Sequence, residues 1–399
     1  MRLFRLWVIP CFIVLLLPGC VTKHHVYLTW QGDPGSTMTV NFQTADPLDE
    51  AKVYYDTIPH DGDPNQYTYN ATGVSRQIPG DKVDGRWIHN VELTNLTPGQ
   101  TYYFYAQGLR NGQERHFQTI PNDGTPLRYV VGGDMGTLPA VNTLLSEAAL
   151  YDPMFAVIGG DIAYANGDLN SAYLWDKWII GWDKNLRKSD GAMVPMVLAI
   201  GNHETNDKEG TLEERAPFYF GYFAQGGQSI FSRAFPPYLT IVAMDSGHIT
   251  NHEDQPEWLE GILTEAQNRP HTMAVYHVPM YPSHRDFNDS RSVKARELWQ
   301  PIFDDFGLDV AFENHDHTYK RTHRIKANEL DPTGTLYLGD GSMGIVKREA
   351  VNKDAWYIHS ASGTSHFWLV DVDGNGMRFR AVDKHGNVFD DTALPAPPK

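Results

Sequence analysis

Gly160-Asp161-Ile162-Ala163-Tyr164, Gly201-Asn202-His203-Glu204 and Asn314-His315-Asp316-His317 each follow closely on an apolar run of strand length. Those runs are residues 154–158, 196–200 and 308–312. Two more, 127–131 and 272–276, lead into Gly133-Asp134-Met135-Gly136 and into His277, and a sixth spans 239–244. Segments with helical character, at 140–150, 256–266 and 292–306, lie between several of them. A strand that is apolar along its whole length is buried on both faces, which predicts a layered α/β domain from residue 127 onward. In such domains the reactive side chains sit just past the strand ends.

Taken singly, each motif is weak. Gly-Asp after a strand is usually a turn, and one histidine is usually a satisfied polar residue. His-x-His is more specific, because two imidazoles one residue apart can be aimed at neighbouring metal ions. The argument comes from the set: five motifs, in order, each at the end of an apolar run, with a glycine in several where the backbone must turn sharply.

Upstream the pattern differs. Residues 25–30, 37–44, 51–56, 87–93, 101–107 and 116–119 are aromatic and β-branched, and they are separated by clusters such as Gly32-Asp33-Pro34-Gly35 and Asp61-Gly62-Asp63-Pro64. Short strands with regular turn signals predict a β-sandwich. Leu96-Thr97-Pro98-Gly99-Gln100-Thr101-Tyr102 looks like the tyrosine corner of fibronectin type III domains. Pro121-Asn122-Asp123-Gly124 reads as a linker, and residues 335–389 return to strands.

The five motifs resemble those of the calcineurin-like metallophosphoesterase superfamily, and specifically of its purple acid phosphatase family. Asp134, Asp161, Asn202, His277, His315 and His317 match the superfamily pattern. Tyr164, three residues after Asp161, matches the feature that sets purple acid phosphatases apart, and the stretch 26–33 is similar to the opening of their N-terminal domain. The resemblance implies an all-β sandwich (fibronectin type III-like) over residues 21–121, followed by a layered α/β metallophosphoesterase domain over 122–399, with a β-sandwich core flanked by helices. It implies that Asp134, Tyr164 and His317 bind ferric iron, that Asn202, His277 and His315 bind a divalent ion (zinc, iron or manganese), and that Asp161 bridges the two. Phenolate and carboxylate suit a trivalent ion; imidazoles and an amide oxygen suit a divalent one. Two ions about 3.5–4 Å apart can clamp a phosphoryl group.

The same resemblance makes His203 the acid that assists the leaving group. His284, seven residues after His277, is a second catalytic candidate, because plant members carry histidines in that loop at slightly longer spacing. Arg285 is a weaker candidate for phosphate contact. Glu204 is expected to orient its neighbours. Two positions depart from the family pattern: Asn314 stands where glycine is usual, and is expected to serve the turn by its tolerance of unusual backbone angles. Asp316, between the two histidines, is read either as orienting an imidazole or as facing solvent.

The expected reaction is hydrolysis of a small phosphate monoester by a dinuclear centre, with metal-bound hydroxide as the nucleophile. A phosphodiesterase, or a nucleotide- or lipid-phosphate hydrolase, is the alternative on the same centre. A non-catalytic surface-binding protein is disfavoured, because all seven ligand positions are filled. The formal net charge of -16 counts against nucleic acid as a partner. At the N-terminus, Arg2 and Arg5 precede an apolar run at 6–17 and then Pro18-Gly19-Cys20. Residues 1–20 read as a signal peptide whose end resembles a bacterial lipobox. That predicts export, with lipidation of Cys20 anchoring the protein to the bacterial cell envelope, periplasmic or at the cell surface. The other cysteine, Cys11, is lost with the signal, so no disulfide forms within the mature chain.

Overall fold

The computed structural model describes residues 25–396 apart from 81–84, 110–112 and 207. Residues 1–20, read above as a signal peptide, lie outside the described residues, Cys20 among them.

The strands expected between 25 and 120 are present, and Tyr69–Arg76 joins them. Its residues are mostly exposed or half-exposed, so no apolar alternation marks it in the sequence. This strand links two layers. Its first half, Tyr69 to Gly73, pairs with Ala51–Asp56; its second half, Val74 to Arg76, pairs with Trp87–Leu93. The tyrosine corner forms as expected, with Thr97 N donating to Tyr102 Oη at 2.9 Å.

The unit that follows is two sheets packed face to face. In the first, Met196–Leu198, Phe155–Ile158 and Leu127–Gly132 run parallel, and His366–Asp373, Gly376–Asp383 and Val388–Pro395 continue the sheet antiparallel. In the second, Leu239–Ala243, His271–Val275, Val310–Phe312 and Thr335–Gly339 run parallel, with antiparallel strands at the edges. Alternation within the buried strands separates the layers. Tyr129, Val131, Phe155 and Val157 pack against Met273, Val275 and Phe312 of the second sheet. Val130, Ala156 and Ile158 face the helices Pro139–Ala149 and Ala172–Asn185. On the opposite outer face, Ala274, Tyr276 and Ala311 meet Pro256–Ala266, Ser290–Leu298 and Gln300–Phe306. The last two helices replace the single one expected at 292–306. The chain breaks at Trp299, and Pro301 opens the second helix, where its missing N–H costs nothing.

The sandwich near the N-terminus is fused to this unit. The Trp30 indole sits edge-on to Phe155 and Phe235, with centroids at 6.1 and 5.6 Å. Asp176, buried on helix Ala172–Asn185, accepts from Arg86 Nη2 at 2.9 Å and lies 2.8 Å from His25 Nε2. The two units therefore share a continuous core and a buried ion cluster.

Candidate metal centre

Five loops converge where the carboxyl ends of the parallel strands of both sheets meet. Five of the seven expected ligands, Asp134, Asp161, Tyr164, His315 and His317, have φ between 51° and 76°. Non-glycine residues rarely adopt this left-handed region, which costs roughly 1–3 kcal/mol at each such position unless the surroundings enforce it. Here they do. Asp134, Met135 and Gly136 donate their N–H groups to the carbonyls of Gly160, Asp161 and Ile162. Glu204, fully buried, accepts from the backbone N–H of Asp161, Ile162 and Gly201 at 2.7, 2.8 and 2.9 Å. One carboxylate thus ties the Asp161 loop to the Asn202 loop.

Two donor groups result. In the first, the Asp161, His277 and His315 ligand atoms all lie within 4.8 Å of one another. His277 Nε2 is 3.2 Å from Asp161 Oδ2, 3.1 Å from Asn202 Oδ1 and 3.0 Å from His315 Nδ1. Its other nitrogen, Nδ1, faces the Gly159 carbonyl at 3.0 Å and must donate to it. In the neutral ring, Nε2 therefore offers a lone pair, and that lone pair faces two acceptor oxygens and a ring nitrogen of His315. A single proton cannot serve all three contacts; a cation at their focus can. In the second group, Asp134 Oδ1, Tyr164 Oη and His317 Nε2 are mutually 3.1 Å apart. His317 Nδ1 is 3.2 Å from the Val346 carbonyl, which again directs Nε2 into the cluster. Both groups fit metal ions.

The electrostatics agree. Burial opposes charge on His277, yet the Asp161 and Asp134 carboxylates push it up to about 10. Burial, then the neighbouring Asp161 carboxylate, pushes Glu204 up to about 8. Burial and the same two aspartates hold the Tyr164 phenol far above its ordinary range. Burial is the larger cause for Glu204 and Tyr164, and in all three the aspartate contribution reflects negative charge that a bound cation would relieve.

His203 stands at the mouth of the site, about one-third exposed. Its backbone N–H donates to Asp161 Oδ1 at 2.8 Å, its Nδ1 contacts Asn166 Oδ1, and its ring lies 4.2 Å from that of Tyr164. Burial lowers its pKa. His284 is placed differently: its Nδ1 bonds the Glu349 carbonyl, and its ring contacts none of the seven expected ligands among the described residues.

The two departures from the family pattern act otherwise than expected. Asn314 does not take the unusual backbone angles; His315 and His317 do. Its side chain instead fills the space left by bare glycine backbone. A Cβ on Gly159 would lie 1.8 Å from Asn314 Nδ2, which donates to the Tyr276 carbonyl at 3.0 Å. Asp316 neither orients an imidazole nor faces solvent. It is fully buried, and its Oδ2 accepts from the backbone N–H of His284 at 2.6 Å and of Arg285 at 3.3 Å.

Sequence reasoning missed Asn166 and Gly341. Asn166 is one polar loop residue among several. At Gly341, φ is 67° and a Cβ would lie 1.8 Å from Asp134 Oδ2, so the loop backbone can close on that carboxylate only without a side chain.

The family model described as "Purple acid Phosphatase, N-terminal domain" matches residues 24–119, and "Calcineurin-like phosphoesterase" matches residues 127–319. This chain belongs to the purple acid phosphatase family. It is a metallophosphoesterase, a hydrolase of phosphoric esters, and its family works with a dinuclear metal centre. Among relatives, purple acid phosphatase 18 of Arabidopsis thaliana is 24% identical over 354 residues, covering 86% of this chain and 76% of the relative. Acid phosphatase type 7 of Mus musculus is 26% identical over 445 residues, covering 98% and 97%. The purple acid phosphatase PPD1 of yellow lupin superposes with a TM-score of 0.76 at 20% identity, over 94% of this chain and 74% of that one. That likeness is one of fold.

Proposed function

We propose that this purple acid phosphatase hydrolyses small phosphate monoesters outside the cytoplasm. One observation carries the reading: all seven expected ligand side chains form two adjoining donor groups whose lone pairs converge. Asp134, Tyr164 and His317 would hold ferric iron; Asn202, His277 and His315 would hold a divalent ion (zinc, iron or manganese); Asp161 would lie between. When bound, two such ions supply Lewis-acid polarisation of the phosphoryl oxygens and a lowered pKa for water. The remaining work falls to the chain. Glu204 and Asp316 fix the loops, and His203, with Nδ1 engaged by Asn166, presents Nε2 to the leaving oxygen and gives up a proton from its imidazolium form, which burial opposes and the Asp161 carboxylate favours. Arg2, Arg5, the apolar run and Cys20 support export and a lipid anchor.

Metal analysis with a visible spectrum, followed by rates on a phosphate monoester and a diester, tests the proposal. The expected result is a coloured, iron-containing enzyme faster on the monoester. A colourless, iron-free preparation fully active with manganese or zinc would refute the ferric assignment. A faster diester rate would refute the monoester assignment.

A further inference from the structure

Lys320 follows His317 by three residues, on strand Tyr319–Lys326, and its side chain is fully buried. A lysine is almost never fully buried unless it is paired. Three oxygens surround its ammonium: Glu313 Oε2 at 2.5 Å, the Tyr281 carbonyl at 2.8 Å and Asp340 Oδ2 at 3.1 Å. Glu313 and Asp340 are themselves buried. Burial opposes the charge on Lys320, but the Asp340 and Glu313 carboxylates raise its pKa above the ordinary lysine value.

Those oxygens come from three loops on the second-sheet side of the metal centre. Tyr281 is four residues beyond His277. Glu313 lies two residues before His315, and its other oxygen, Oε1, accepts from Tyr276 Oη, next to His277, and from Met280 N, both at 2.7 Å. Asp340 exchanges backbone hydrogen bonds with Thr318, next to His317, at 2.8 and 3.2 Å, and its Oδ2 also accepts from Ser283 Oγ at 3.0 Å. Among the described residues the ammonium bonds to none of the seven expected ligands, so any effect on them passes through the loops. Glu204 has the same relation to the loops of the first sheet. Apolar side chains filling such a space are often as stabilising as a buried ion cluster, so stability alone does not account for this one. An ammonium adds direction, with three N–H donors that fix three acceptors relative to one another.

We propose that Lys320 is a positioning residue for the divalent ion: by joining the His277 loop to the start of the His315 loop, it sets the spacing of the two imidazoles that would meet that ion. The proposal rests on the two-metal reading and adds a residue that the reading does not itself require. The ferric group is expected to depend on Lys320 less. Two of its three donors, Asp134 and Tyr164, come from the first sheet, and His317 is held separately, by the Val346 carbonyl at its Nδ1 and by Arg348 N, which donates to its carbonyl at 2.8 Å.

The test separates the two ions. The full chain is loaded with iron and zinc; elemental analysis reads both, the visible band follows iron, and chelator competition gives the zinc affinity. Lys320→Met removes the ammonium. Lys320→Met/Glu313→Gln also removes one of the two carboxylates left stranded, while the Gln oxygen still accepts from Tyr276 and Met280. Both variants are expected to bind zinc about tenfold more weakly, with iron content and the visible band unchanged. If neither folds, Glu313→Gln alone carries the same test, with a smaller loss of zinc affinity and iron again retained. Unchanged zinc affinity in the folded variants, or an equal loss of both ions, overturns the positioning role while the phosphatase reading stands. A wild type that takes up neither metal brings down the phosphatase reading and the proposal with it.

Discussion

The two sheets of the catalytic unit contribute different chemistry to one centre. The loops of the first sheet supply only oxygen donors: Asp134, Asp161, Tyr164 and Asn202. Those of the second supply only imidazoles: His277, His315 and His317. Yet neither donor group belongs to one sheet. Tyr164 and Asp134 meet His317, and Asp161 and Asn202 meet His277 and His315. The centre is therefore built across the seam of the sandwich, and its geometry depends on how the sheets pack. Neither layer could assemble it alone.

The comparison can be broken most severely at Asp161, which touches both halves. Asp161→Asn keeps shape but removes the charge that faces His277, and should lower kcat on a monoester by on the order of a hundredfold or more. Unchanged activity would refute the metal reading. Tyr164→Phe removes a donor from the oxygen side only. It should abolish visible absorption and weaken retention of iron while the divalent ion stays bound, as metal analysis of the purified variant would read. Glu204→Gln leaves every ligand in place but loosens the tie between the two oxygen-bearing loops. Its expected effect is about a tenfold loss in metal affinity, measured by chelator competition.

The smallest effect on activity is expected far from the seam. Asp176 joins the catalytic unit to the N-terminal sandwich. Burial opposes its ionisation, but its bonds to Arg86 and His25 hold its pKa down to about 2. A carboxylate depressed in the folded state stabilises it above its ordinary pKa, and that contribution is lost as pH falls through the folded value. Asp176→Asn should therefore remove about 2 kcal/mol of stability at pH 7 and flatten the acid limb between roughly pH 4 and 2. Denaturation curves at several pH values check this. Metal content at pH 7 should be unchanged.

Much of the site could be read directly from the chain. An apolar run followed by Gly-Asp or His-x-His is a local signal, because burial of a parallel strand and the turn at its end are both written within about ten residues. What escaped depended on partners distant in sequence. Tyr69–Arg76 has no apolar pattern, since its identity as a strand comes from two neighbours in different layers. Helix Ala172–Asn185 buries Trp175, Trp178 and Trp182 on one face, a spacing that is visible in retrospect but flanked by no capping signal strong enough to announce it. Asp316 read as ambiguous because its partners, the N–H groups of His284 and Arg285, lie some thirty residues away.

The sequence by itself determined which ligand-type side chains stand at the strand ends, the order of their loops and the family, because residue types and strand ends are local properties. Only the tertiary structure decided what those loops do to one another. It gave the left-handed backbone to His315 and His317 rather than Asn314, placed the Asn314 side chain against Gly159, and turned Asp316 inward to hold the Arg285 loop. The reason is physical: a lone pair or a buried carboxylate acquires its role from what faces it, and what faces it is settled by the packing of two sheets.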